Sequence, residues 1–131
     1  MGNPFETSGA FSWCELMTTD LVAAKKYYQE LFGWELADMP MAAHGMTYTV
    51  VKVGGNAVGG IMPMPPNLPP GVPPNWGAYV TVPDVDATAK KAAELGGMIL
   101  VQPQDIPNVG RFVVIRDPQG AVVNAITYKK M

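Results

Sequence analysis

Cysteine and histidine are almost missing from this chain: Cys14 and His44 are the sole residues of their kinds among 131. A lone cysteine excludes an intramolecular disulfide, and one histidine falls far short of the His/Cys clusters that hold transition metals. His44 sits in the turn Ala42-Ala43-His44-Gly45 with no cysteine or carboxylate beside it, the setting of a solvated surface position. Basic residues are also few. Nine Lys and Arg, never more than two in a row, and a net charge of -2 give no field for gripping phosphates, so nucleic acid is not an expected partner. The first residues lack the charged-then-apolar pattern of a secretion signal, which with the lone cysteine predicts a cytoplasmic protein. An apolar share of 48% is what one globular domain needs, and it calls for neither disorder nor a membrane span.

What the chain does have is self-similarity. Moved along itself by 64 positions, it lays Asp20-LVAAKKYYQELFG-Trp34 on Asp84-VDATAKKAAELGG-Met98, pairing Asp20 with Asp84, Ala23 with Ala87, Lys26 with Lys90, Glu30 with Glu94 and Gly33 with Gly97. The same offset lays Tyr48-TVVK-Val53 on Phe112-VVIR-Asp117. One supersecondary unit is used twice.

Each half reads as strand, helix and three strands. Phe11 to Thr18 alternates, with Trp13, Glu15 and Met17 on one face and Cys14 and Leu16 on the other, under the helix. Asp20 starts a helix whose inward stripe is Leu21, Ala24, Tyr27 or Tyr28, and Leu31, and Gly33 ends it. Strands follow at Trp34 to Ala37, Met46 to Val53 and Ala57 to Met62. The second half repeats the order with a strand at Gly77 to Val82, a helix at Asp84 to Leu95, and strands at Met98 to Val101, Arg111 to Arg116 and Ala121 to Thr127. Asp20 and Asp84 are helix-start residues, and Asp117-PQG-Ala121 is a tight turn. Between the halves, Pro63 to Asn75 holds seven prolines in thirteen residues. It is a stiff connector or a lid over a cavity mouth.

The stretch Trp13-CELMTTDLVAAKKYYQELFG-Trp34, the later Tyr79-VTVPDVDATAKKAAELGG and the closing Gly110-RFVVIRDPQGAVVN resemble the vicinal oxygen chelate superfamily, which includes glyoxalase I, extradiol dioxygenases and bleomycin-resistance proteins. The similarity runs from about Ser8 onward and is strongest to a small glyoxalase-related branch that opens on W-x-E-L-x-T-x-D. It implies an α+β fold: two tandem βαβββ modules forming a curled, partly closed mixed sheet around a cavity, with helices outside. On that reading residues 1–131 are a single domain, with modules at about 8–62 and 76–129 and a linker over 63–75. Superfamily members often pair their sheets between chains, so a homodimer is expected. In the metal-binding members the ligands come from positions that correspond here to Trp13, Gly60, Gly77 and Asn124. Three of these lack a ligating side chain, and one Asn oxygen is not a divalent-metal site. The expectation is therefore no metal and no cofactor, which counts against glyoxalase I or extradiol dioxygenase activity.

Glu15 is the acidic residue inside an apolar strand, and the repeat sets Tyr79 at its counterpart. If its face lines the cavity, a carboxylate among aromatics has a raised pKa and can move protons near neutrality. The alternative is an ion pair with Arg111 or Arg116 on a neighbouring strand, or a place at a sheet edge. Tyr79 and Asn124 would be its polar companions, Trp13, Tyr48 and Phe112 apolar walls, and Gly60 and Gly77 the remaining cavity positions. Three functions stay open. They are a metal-free module binding a small organic ligand, a metal-independent enzyme using Glu15 as general acid or base, and a structural domain whose cavity its own side chains fill.

Overall fold

The computed structural model describes residues 3–41, 46–64, 71–106 and 109–129; His44 and residues 65–70 of the proline-rich stretch lie outside them. The class is α+β. Along the chain come β1 (Phe11–Thr18), α1 (Leu21–Phe32), β2 (Glu35–Met41), β3 (Met46–Val53), β4 (Asn56–Pro63), β5 (Asn75–Thr81), α2 (Val85–Glu94), β6 (Met98–Ile106), β7 (Gly110–Arg116) and β8 (Val122–Tyr128). Two compact units result, one made of Trp13–Gly77 and the other of Ala78–Met131 together with Met1–Ser12. No helix among the described residues is long and apolar enough to cross a membrane.

In the Trp13–Gly77 unit the strand order is β2-β3-β4-β1, with β1 parallel to β4 and the other neighbours antiparallel. Asp20 caps α1 by accepting the Ala23 N–H at 3.0 Å, which satisfies a donor that the helix itself cannot. Gly33 closes it in the left-handed region at φ 70°, its N–H bonded to the Gln29 carbonyl. Leu21, Ala24 and Tyr28 lie on a core of Leu16, Val51 and Ile61, joined by Trp34 and Leu36. Leu31, expected on that inward stripe, is 55% exposed. The rings of Phe32 and Trp34 stack on Tyr28 at 6.1 and 5.6 Å, and the inward side of the helix is carried by Leu21, Ala24 and Tyr28. An ion pair ropes α1 to the sheet: Lys25 Nζ reaches both Asp38 oxygens at 2.8 Å, and the buried Thr49 hydroxyl donates to the same carboxylate at 2.7 Å. These contacts hold the Asp38 carboxyl below its usual range, the Lys25 hydrogen bond first and the Thr49 hydroxyl next.

The other unit orders its strands β5-β8-β7-β6, with β5 parallel to β8. Asp84 caps α2 through the Ala87 N–H at 3.2 Å, and Val85 and Ala89 pack on Val113, Ile115 and Ala125. Here the rope is Arg111, which bridges Asp86 on α2 at 2.9 Å and Asp105 on β6 at 3.1 Å. Residues 3–12 form a strap over this unit. Gly9 N–H donates to the Thr81 carbonyl, Thr81 N–H to the Ala10 carbonyl, and the Thr81 hydroxyl to the Pro4 carbonyl. Ser12 Oγ and the Tyr128 hydroxyl are 2.7 Å apart, and Phe5 meets the Tyr128 ring edge-on at 4.9 Å. Burial pushes the Tyr128 phenol up from its ordinary value, and the Ser12 hydrogen bond works against it. Asp117 builds the turn after β7, its Oδ1 accepting the N–H groups of Gln119 and Ala121.

Asp20→Ala and Asp84→Ala each remove an N-cap, and each is expected to lower the unfolding free energy by about 1 kcal/mol. Urea titration checks this; a wild-type midpoint for either variant would show that the carboxylate cap contributes nothing there.

Candidate functional site

Alternation along β1 sends Leu16 and Thr18 to the helix-covered side, where both are buried, and Trp13, Glu15 and Met17 to the opposite side, where all three are half-buried. Cys14 shares the side of Leu16 yet is exposed, against the expectation of a buried thiol. The buried stretch of β1 begins only at Leu16, and the neighbour of Cys14 across the ladder is Gly59, which has no side chain to shield it. On β3, Thr49 and Val51 turn to the helix side, and Tyr48 and Val50 to the side of Glu15.

Registers determine what can meet on that side. Gly60 of β4 stands opposite Glu15 in the parallel ladder and opposite Val50 in the antiparallel one. β4 therefore separates Tyr48 from Glu15, and the gap is about 10 Å, twice the usual strand spacing. Tyr48 spans it. Its hydroxyl donates to Glu15 Oε2 at 2.8 Å and accepts from Trp13 Nε1 at 2.9 Å. An indole N–H only donates, so the Tyr48 hydroxyl accepts from Trp13 and its own proton is directed to Glu15. A Cβ placed on Gly60 would overlap the Tyr48 hydroxyl and ring. Around this chain, Met17 and Met62 stand side by side across β1 and β4, and Met39 stands opposite Tyr48 across β2 and β3. Methionine gives such a face a soft, adaptable surface.

Of the residues singled out in the sequence, this unit brings together Trp13, Glu15, Tyr48 and Gly60; Gly77 lies on β5. Tyr79, Phe112 and Asn124 belong to the other unit. Tyr79 stands opposite Asn124 in the parallel ladder, at 6% and 8% exposure. Phe112, on β7, is two residues from Val114, the partner of Asn124, and so shares its face. Arg111, weighed as a partner for Glu15, is instead held by Asp86 and Asp105.

Sequence reasoning missed the polar role of Tyr48, taken only as a wall, because the β1–β4 pairing that sets it across from Glu15 is non-local. It also missed an aromatic surface in the same unit. Tyr28, Phe32, Trp34 and Trp76 have ring centroids 5.0–6.1 Å apart, and Trp76 Nε1 donates to the Tyr28 hydroxyl at 3.1 Å. The signal available was Trp76 itself, an aromatic directly after the prolines. Two surface depressions belong to the other unit. One, of about 300 Å³, lies between the turn 96–98 and residues 116–120; the other, of about 420 Å³, lies beside Asp86, Arg111 and Tyr128.

The model of the Glyoxalase/Bleomycin resistance protein/Dioxygenase superfamily matches residues 10–124. CFP32 of Mycobacterium tuberculosis, named as a glyoxylase candidate, is 44% identical over 115 residues, covering 88% of this chain and 44% of that protein. The anthracycline biosynthesis protein DnrV of Streptomyces peucetius is 32% identical over 122 residues, covering 93% and 42%. The chain thus spans less than half the length of these relatives. Methylmalonyl-CoA epimerase from Mycobacterium tuberculosis has a TM-score of 0.66 at 17% identity, with 95% of this chain and 92% of that one covered. A hypothetical protein from Bacillus halodurans reaches 0.69 at 12%, with 95% and 98% covered. At such identities these two likenesses speak for the fold alone.

Tyr48→Phe removes one donor to a carboxylate and is expected to lower stability by about 1–3 kcal/mol. In a Glu15→Gln background the same change should cost measurably less. Equal costs in both backgrounds, by denaturant titration of all four proteins, would show that the two residues are not coupled.

Proposed function

The chain belongs to the Glyoxalase/Bleomycin resistance protein/Dioxygenase superfamily, and from that premise we propose that it binds a small organic ligand on the sheet face carrying Trp13, Tyr48 and Glu15, without the metal-ligand set of the metal-dependent members. The observation that carries this reading is the hydrogen-bonded chain from Trp13 through Tyr48 to Glu15. It places an aligned acceptor in the middle of an apolar, methionine- and aromatic-lined surface, the combination that orients and holds a flat, oxygen-bearing molecule. DnrV bears a name from anthracycline biosynthesis, and an anthracycline is a flat polycyclic molecule of that kind. We propose Tyr79, Phe112 and Asn124 as a second set of ligand contacts on their own unit, and Gly77 as a position whose backbone a ligand can approach.

The residues present do not suit a divalent cation. Trp13 offers an N–H already given to Tyr48, and Gly60 offers nothing, with Tyr48 lying where a ligating side chain would extend. Among the described residues no group of three or more His, Cys, Asp and Glu could hold a metal ion. We also read the two halves as one βαβββ module used twice. In support, Glu15 opposite Gly60 and Tyr79 opposite Asn124 are the same register moved by 64 positions. A homodimer in the cytoplasm is the assembly and location we propose.

A second reading, a metal-independent enzyme with Glu15 as general acid or base, is favoured by one observation: the Tyr48 hydroxyl gives the carboxylate a defined direction and a neighbour with which to exchange a proton.

Protein purified without chelator is expected to contain no stoichiometric metal by elemental mass spectrometry, and to gain thermal stability from polycyclic aromatic ligands but not from Ni²⁺, Zn²⁺, Mn²⁺ or Fe²⁺. Near-stoichiometric metal with a chelator-sensitive melt would overturn the proposal. Glu15→Gln separates the two readings, since a binding protein keeps its ligand-induced shift and an enzyme loses turnover. Sedimentation equilibrium at micromolar concentration should show a dimer, and a single species of monomer mass would refute it.

A further inference from the structure

Gly60 is one of two consecutive glycines in a strand, and its backbone gives no reason for it. Its φ is not among the left-handed values that eight other glycines of the described residues adopt, so an L side chain would meet no conformational strain there. What forbids a side chain is space. A Cβ on Gly60 would overlap the hydroxyl and the ring carbons of Tyr48, which lies over this residue on its way from β3 to β1. The strand between donor and acceptor has to be bare at the crossing point. Gly60 pairs with Glu15 on one side and Val50 on the other, which puts it at that point.

We infer that Gly60 is a positioning residue, one that acts by having no side chain. It seats Tyr48, and Tyr48, held in turn by the Trp13 indole, fixes the Glu15 carboxylate. The inference deepens the proposed ligand site and rests on it for its meaning, though not for its test. The other unit supplies a contrast. The residues 64 positions on from Gly60, Tyr48 and Glu15 are Asn124, Phe112 and Tyr79. A buried side chain stands in place of the glycine, and the aromatic residue lacks the hydroxyl that would make the link. The residue types at the matching positions of the other unit do not supply the Trp13–Tyr48–Glu15 chain.

The indole proton of Trp13 reports the arrangement without any ligand. In ¹H–¹⁵N spectra its signal is identified by loss in Trp13→Phe, and Tyr48→Phe should move it upfield, because the indole loses its acceptor. Gly60→Ala is expected to produce an upfield shift in the same direction, with a lower Tm. In a Tyr48→Ala background, where the ring is gone, Gly60→Ala should cause no further shift and little further loss of Tm. An unmoved Trp13 signal in folded Gly60→Ala would overturn the inference, as would an effect of full size in the Tyr48→Ala background. Should Gly60→Ala alone fail to fold, the double variant must fold as well as Tyr48→Ala; a double variant that is also unfolded counts against it. Failure of ligands to bind a protein whose Trp13 signal behaves as expected would tell against the binding proposal and leave the positioning role standing.

Discussion

The site depends on one crossing. Two strands that are not neighbours are joined on the face opposite the helix by a tyrosine side chain that passes over the strand between them and meets the Trp13 and Glu15 side chains reaching from the other side. Tyrosine suits it because its hydroxyl sits at the far end of a stiff ring and both donates and accepts. The indole on one side and the carboxylate on the other use those two capacities, so the three groups have a single consistent direction of hydrogen bonding. Such a chain loses little freedom on accepting a partner, because its rotamers are already set.

The helices are held to their sheets by a different device, and it leaves that face alone. In each unit an N-cap aspartate starts the helix, an apolar stripe packs it, and an ion pair ties helix to sheet: Lys25 of α1 with Asp38 of β2, and Arg111 of β7 with Asp86 of α2, Arg111 also pairing with Asp105 of β6. These ion pairs are largely solvated, so their contribution is small beside that of the buried Val, Ile and Leu side chains. They orient more than they stabilise.

Much of this was legible in the amino-acid order, and the exceptions have physical causes. β1 and β3 fall at the expected residues, and Asp20, Asp84 and Gly33 act as the caps their chemistry suggests. β2 and β6 run longer than expected, through Pro40 and Pro103, because each pairs with one neighbour only, β3 or β7, where a missing N–H does little harm. β6 also absorbs irregular register near Val101 and Gln104, which no periodicity would show. Alternation assigned Cys14 and Leu16 to one face correctly but said nothing of how far along the strand the cover extends. Glu15 and Tyr48 were singled out separately. That they meet follows from a parallel ladder between segments some forty residues apart, and one sequence holds no trace of such a pairing beyond the bare glycine that allows it.

The two units differ in how soon a growing chain can complete them. Every residue of the unit bearing Trp13, Glu15, Tyr48 and Gly60 lies within Trp13–Gly77, so it can close while the rest of the polypeptide is still being synthesised. The other needs both residues 3–12 and β8; the contact of Ser12 with Tyr128 spans 116 positions. Closing so long a loop is the slow, late step that high contact order implies. During synthesis residues 3–12 must wait for these contacts until β8 has emerged, so this segment is the one exposed longest to proteases or to a wrong partner before its own unit can close.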